Sequence, residues 1–79
     1  MSIHDNLYMK DERKKILAGN LRAERHRKNI SQFQLAEKIG VSESTISLIE
    51  RGLQSPSVFL LLDIAEALNI DIKELLRDL

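Results

Sequence analysis

Residues 32–51 read QFQLAEKIGVSESTISLIER, and two short helical patterns meet within that stretch at Gly40 with no room for a loop. Ser31 stands before the first pattern as a side-chain cap for free backbone N–H groups, so a helix is expected from Gln32 to about Ile39. Leu35, Ala36 and Ile39 fall on one face of it, with Gln32, Gln34, Glu37 and Lys38 pointing elsewhere. Ala36 is the informative member. Two helices that cross steeply after a short turn bring their backbones close, which requires a small inner residue. Gly40 follows where the chain must leave the first helix, since glycine accepts the left-handed conformation that ends one. Val41 plugs the corner, and Ser42 caps a second helix, with Thr45 three residues on supplying only half of a capping box. Ile46 and Ile49 face inward there, which leaves Glu43, Ser44, Ser47 and Leu48 on a short, flat, mostly polar outer face suited to a groove.

This is the shape of a helix-turn-helix, and the residues resemble the Xre/Cro/cI-like regulators that include the lambda-type phage repressors. The resemblance rests on Gln32, Leu35-Ala36, Gly40-Val41, Ile46, Ile49, the run Glu50-Arg51-Gly52 and the following Ser55-Pro56-Ser57, and it extends over roughly residues 16–79. It implies an all-α, five-helix lambda-repressor-like DNA-binding domain. It also implies that DNA is met by Gln32, Ser42, Glu43, Ser44, Thr45, Ser47, Leu48 and Arg51, and that Arg25 and Glu50 form a structural ion pair. Gln32 and Thr45 suit phosphates, Gln32 because it opens a helix whose free N–H groups attract an anion. Glu43, an acceptor only, has two readings that stand level: pairing with a donor such as cytosine N4, or favouring the positive end of a helix dipole. Leu48 either meets a thymine methyl or is packed. One departure is plain. The family's loop after the second helix of the motif often carries Lys or Arg for phosphates, whereas here it reads Leu53, Gln54, Ser55 and Ser57, so those contacts are expected from Lys28, Arg22 or the N-terminal segment.

Composition agrees with one small domain. A chain of 79 residues buries only about 60% of its unfolded surface and has no material for a second core. Apolar residues at 43%, with Tyr8, Phe33 and Phe59 the sole aromatics, point to an aliphatic helical core. There is no cysteine, hence no disulfide framework and no thiolate metal site. The longest uncharged apolar run, Val58 to Leu62, cannot span a bilayer, and residues 1–15 are too charged for a signal peptide, so a cytoplasmic location is expected. Net charge is zero, yet it is segregated: eight basic and four acidic side chains in residues 1–30, against two and five in residues 53–79. A basic third and an acidic third can form opposite faces of one domain, as a polyanion partner requires.

The rest of the chain reads as helices around the motif. The organisation expected is a tail or arm over residues 1–10 and the DNA-binding domain over 11–79. The first helix is expected from about Asp11 to Lys28 with Ile16, Leu17, Leu21 and Ala23 inward, ending at Asn29. A fourth helix is expected from about Ser57 to Leu68, with Phe59, Leu62, Ala65 and Leu68 as its core stripe and Asn69 as its end. A fifth, Ile72 to about Asp78, would be apolar along Ile72, Leu75, Leu76 and Leu79. Residues 1–9 could be disordered, reach along DNA or add to a dimer interface, and Ile3, Leu7 and Tyr8 favour partial ordering.

Two function classes follow. The first is a sequence-specific transcription regulator, a repressor binding a palindromic operator as a homodimer through the major groove of double-stranded DNA. The second is an antitoxin or other protein-binding module in which a partner such as a toxin is neutralised and DNA binding is secondary. Leu60, Leu61, Ile70, Leu76 and Leu79 exceed what one face of each terminal helix buries, which a symmetric dimer through the loop after Gly52 and helices four and five would absorb. Catalysis is not expected: there is no Gly-rich phosphate loop and no Gly-x-Ser-x-Gly, and neither His4 nor His26 has a second ligand at helical spacing, so no metal or cofactor is expected either.

Overall fold

The computed structural model describes the backbone of residues 3–79 and the side chains of residues 12–79. Among the described residues there are four α-helices, α1 (Ile3–Arg27), α2 (Gln32–Ile39), α3 (Glu43–Glu50) and α4 (Val58–Leu68), one short 3-10 turn (Ile72–Glu74), and no strand. The all-α class expected from the sequence is the class observed.

α1 is longer than expected. No proline or glycine falls between Ile3 and Ala18, and most residues there are good helix formers, so nothing stops the helix near Asp11. The roles considered for residues 1–10 as an arm, and for Ile3, His4, Leu7 and Tyr8 in particular, lie outside the described side chains. At the other end the chain leaves the helix through Asn29, at φ 56°. The inward stripe of α1 is Leu17, Ala18, Leu21, Glu24 and Arg25, all buried. Ala23, expected inward, is exposed, because two residues of helix rotate it roughly 200° from Leu21.

α4 is capped at its start by Ser57, whose Oγ accepts from Leu60 N at 3.1 Å, and ends at Asn69 in the left-handed region, φ 54°. Its core stripe differs from the one expected. Ile64, Ala65 and Leu68 are buried and Leu61 packs against them, while Phe59 is 79% exposed and Leu62 46%. Counting in threes is the cause: each step falls about 60° short of a full turn, so Phe59 and Leu68 stand roughly 180° apart.

The expected fifth helix reduces to the single turn Ile72–Glu74. Asp71 Oδ1 accepts from Lys73 N at 2.9 Å and starts the turn, but a segment this short cannot sustain a helix alone. Its end is drawn off by α1 instead, where Asn20 Nδ2 donates to the carbonyls of Leu75 (2.9 Å) and Arg77 (2.8 Å). Leu75 is completely buried by this docking, whereas Leu76 and Leu79 remain largely exposed. Among the described residues Leu21, Leu35, Ile46, Ile49, Ile64, Leu68 and Leu75 are the fully buried large apolar side chains, each contributing about 1.5–3 kcal/mol of transfer free energy. Their convergence behind α2 and α3 leaves the far side of those helices free.

Candidate nucleic-acid interface

Both short helices of the motif are set by local chemistry. Ser31 Oγ accepts from Gln34 N at 3.0 Å and Gln34 Oε1 accepts from Ser31 N at 2.8 Å, a complete capping box at the start of α2. The spacing Ser31-x-x-Gln34 carried that signal, and the sequence reading took only its first half. Gly40 closes α2 at φ 75°, ψ 31°, and Val41 N reaches back to Ala36 O at 3.0 Å. α3 begins two residues later under Ser42, whose Oγ accepts from Thr45 N at 3.1 Å. The hydroxyls of Ser42 and Thr45 share a hydrogen bond of 2.9 Å. Leu35, Ala36, Ile46 and Ile49 fill the angle between the helices, none more than 2% exposed. The close approach that Ala36 permits is therefore present.

The outer face of α3 carries Ser42, Glu43 and Ser44 exposed, Thr45, Ser47 and Leu48 half-buried, and Arg51 exposed just past its end. One ridge thus offers a carboxylate, four hydroxyls, one wholly apolar side chain and one guanidinium. Hydroxyls donate or accept, the carboxylate only accepts, and Leu48 offers apolar contact, which together suit base edges rather than a metal or a reacting substrate. Among the described residues no group of three His, Asp or Glu side chains could hold a metal ion.

The end of α3 is fixed from behind by Glu50. Its Oε2 accepts from Arg25 Nε at 2.6 Å and its Oε1 from Arg25 Nη2 at 2.9 Å, a two-point pair whose side chains are only 10% and 1% exposed. Donation of its hydrogen bonds to Glu50 raises the Arg25 pKa, desolvation works against it, and the Coulombic attraction of Glu50 adds to the rise. Arg25 Nη1 also donates to Ile30 O at 2.8 Å, and Arg22 donates to the main-chain carbonyl of Glu50. Gln32 joins the same carboxylate, its Nε2 donating to Oε1 at 3.1 Å. α1, the start of α2 and the end of α3 are therefore tied at one residue. Gln32, expected at a phosphate, has one amide N–H on Glu50 and a second left over.

A second buried carboxylate was missed by the sequence reading. Glu24, 1% exposed, accepts from Arg77 Nη1 at 2.8 Å and lies 3.5 Å from Arg27 Nη2. Arg77 also donates to Glu74 Oε2 at 2.9 Å, and its hydrogen bonds to Glu24 and then to Glu74 raise its pKa. A signal existed: Glu24 continues the spacing of Leu17 and Leu21, so it sits in core register and required a partner. Lys28, named as a phosphate donor, is exposed at the end of α1.

Comparison with known proteins places this geometry among relatives. The profile of a family described as helix-turn-helix, HTH_3, matches residues 21–75. The control protein C.SmaI of Serratia marcescens is 40% identical over 63 residues, covering 80% of this chain and 75% of that protein. An uncharacterized HTH-type transcriptional regulator of Mycobacterium tuberculosis is 44% identical over 50 residues, 63% of this chain but only 36% of its own length, so this chain spans about a third of that relative. Among solved structures, the restriction-modification controller protein C.AhdI of Aeromonas hydrophila superposes with a TM-score of 0.79 at 32% identity, over 82% of this chain and 94% of that one.

Proposed function

The chain belongs to the helix-turn-helix family HTH_3, and on that premise we propose that it is a sequence-specific DNA-binding transcription regulator, acting without catalysis. The outer face of α3, with Ser42, Glu43 and Ser44 exposed and its end tied from behind through Glu50, is the observation that carries this reading. α3 enters the major groove, with Glu43, Ser44, Ser47 and Leu48 toward base edges and Gln32, Ser42, Thr45 and Arg51 toward the backbone. The match to control proteins, over 75% of C.SmaI and 94% of the C.AhdI chain, supports a regulatory role.

One α3 reads only a few base pairs, so the reading includes a homodimer on a palindrome with half-sites about one helical turn, ~34 Å, apart. Val58, Phe59 and Leu62 form an outward stripe of α4, and Leu53 stands exposed in the preceding loop. Phe59 and Leu62 have no place in the monomer core, which supports burial against a second copy. The reading includes repression of the chain's own promoter. A protein-partner reading, with a toxin on the same stripe, makes a different forecast: a monomer in isolation that binds DNA weakly.

Footprinting on the region upstream of the chain's own gene tests the proposal. Protection of two symmetric half-sites one helical turn apart is expected, and a gel filtration mass of one protomer with no protected site would overturn it.

A further inference from the structure

We propose that the α1 segment Arg13–Lys15, together with Ser55, is a DNA-phosphate-binding strip that replaces the cations missing from the loop after α3. The inference rests on the DNA-binding reading above and names the groups that would grip the backbone beyond α3. The loop from Leu53 to Ser57 carries no charged residue at all. It does, however, run across a charged neighbour. Gly52, at φ 72°, lies so close to α1 that a Cβ placed on it would sit 3.6 Å from Lys15 Cγ and 3.7 Å from Lys15 Cα. Beyond it, Ser55 shares with Arg13, Lys14, Leu17 and Leu79 an open cleft of about 420 Å³.

The described ion pairs engage Arg25, Arg27 and Arg77, and none of them involves Arg13, Lys14 or Lys15. Arg13, Lys15 and Ser55 are exposed and Lys14 half-buried. The guanidinium of Arg13, the ammonium of Lys14 and the Ser55 hydroxyl line the cleft with Leu17 and Leu79, and Lys15 adds a second ammonium beside Gly52; the set matches a phosphodiester, whose non-bridging oxygens take the donors while the deoxyribose meets the apolar side chains. The strip also adjoins the reading helix: exposed Arg51 directly precedes Gly52, and Arg22 holds the last carbonyl of α3. A cation beside the carbonyl end of α3 could serve that helix's dipole alone, a role that alters melting but not the dependence of DNA binding on salt.

The test is the salt slope of binding to a random-sequence 24-base-pair duplex, followed by fluorescence anisotropy, because phosphate contacts act on any sequence. Each lost contact lowers the slope of log K against log[KCl] by about 0.9. The variant R13A/K14A/K15A is expected to lose between about 0.9 and 2.7 of slope, while K73A, on the 3-10 turn, leaves it unchanged. Lys15→Ala alone, which cuts one exposed side chain, carries the same test with an expected fall of about 0.9 if the triple variant melts early. An unchanged slope in these variants beside a steep wild-type slope overturns the strip and leaves the DNA-binding reading standing. A wild-type protein with no salt-dependent binding removes both.

Discussion

Glu50 and Glu24 are equally buried, at 2% and 1% exposed, but their guanidinium partners are placed differently. Arg25 is enclosed with Glu50, its side chain 10% exposed, whereas Arg77 keeps 38% of its side chain in water and divides itself between Glu24 and Glu74. The first pair joins α1, α2 and α3 behind the outer face of α3. The second clasps the C-terminal segment to α1. An enclosed pair leaves a stranded charge when one member is lost; a half-open pair lets the survivor turn to solvent. Position in the fold thus sets the cost, and the residue types do not.

The sharpest way to break that contrast is Glu50→Gln, which keeps the shape and removes the charge facing buried Arg25. We expect a loss of about 3–5 kcal/mol in urea unfolding, a large part of the total for a small domain. Because the Arg25 pKa is raised above an already high value, the stability this residue supplies is fully present below its ordinary value and is lost only as pH rises through the raised one, so the Arg25 side of the pair adds no pH dependence in the neutral range. Glu24→Gln is expected to cost less, and its deficit relative to wild type should shrink in 0.5 M KCl as screening weakens the half-open pair, while that of Glu50→Gln persists. Equal deficits for the two variants, both indifferent to salt, would mean that partner exposure is not what separates them.

The same contrast explains what the sequence disclosed. Helix ends were legible wherever one residue and its neighbours decide them: Ser31, Gly40, Ser42, Asn29 and Asn69 all act within a few positions of themselves. The inward residues of α2 and α3 were legible too, since eight residues are too few for a periodic count to drift. Over the longer α4 the count drifted and turned Phe59 and Leu62 the wrong way. The C-terminal segment was illegible for another reason. Its path depends on Asn20 and Glu24, which lie more than fifty residues earlier in the chain and signal only by occupying core register on α1. Of the residues expected to meet DNA, the exposed positions on α3 follow from helical spacing, but the bond from Gln32 to Glu50 needed the third dimension.

A third carboxylate, Glu43, completes the comparison because it is fully on the surface. Glu43→Gln should leave unfolding within about 0.5 kcal/mol of wild type, so any effect it has must appear in recognition. The direct test is anisotropy titration of wild type and Glu43→Gln against both the footprinted operator and a random duplex at one salt concentration. We expect a wild-type preference for the operator of about 10³ or more, and for the variant a changed preference with little change in affinity for random DNA. Equal losses on both duplexes, or an unchanged ratio, would contradict the assignment of the α3 ridge as the surface that reads sequence.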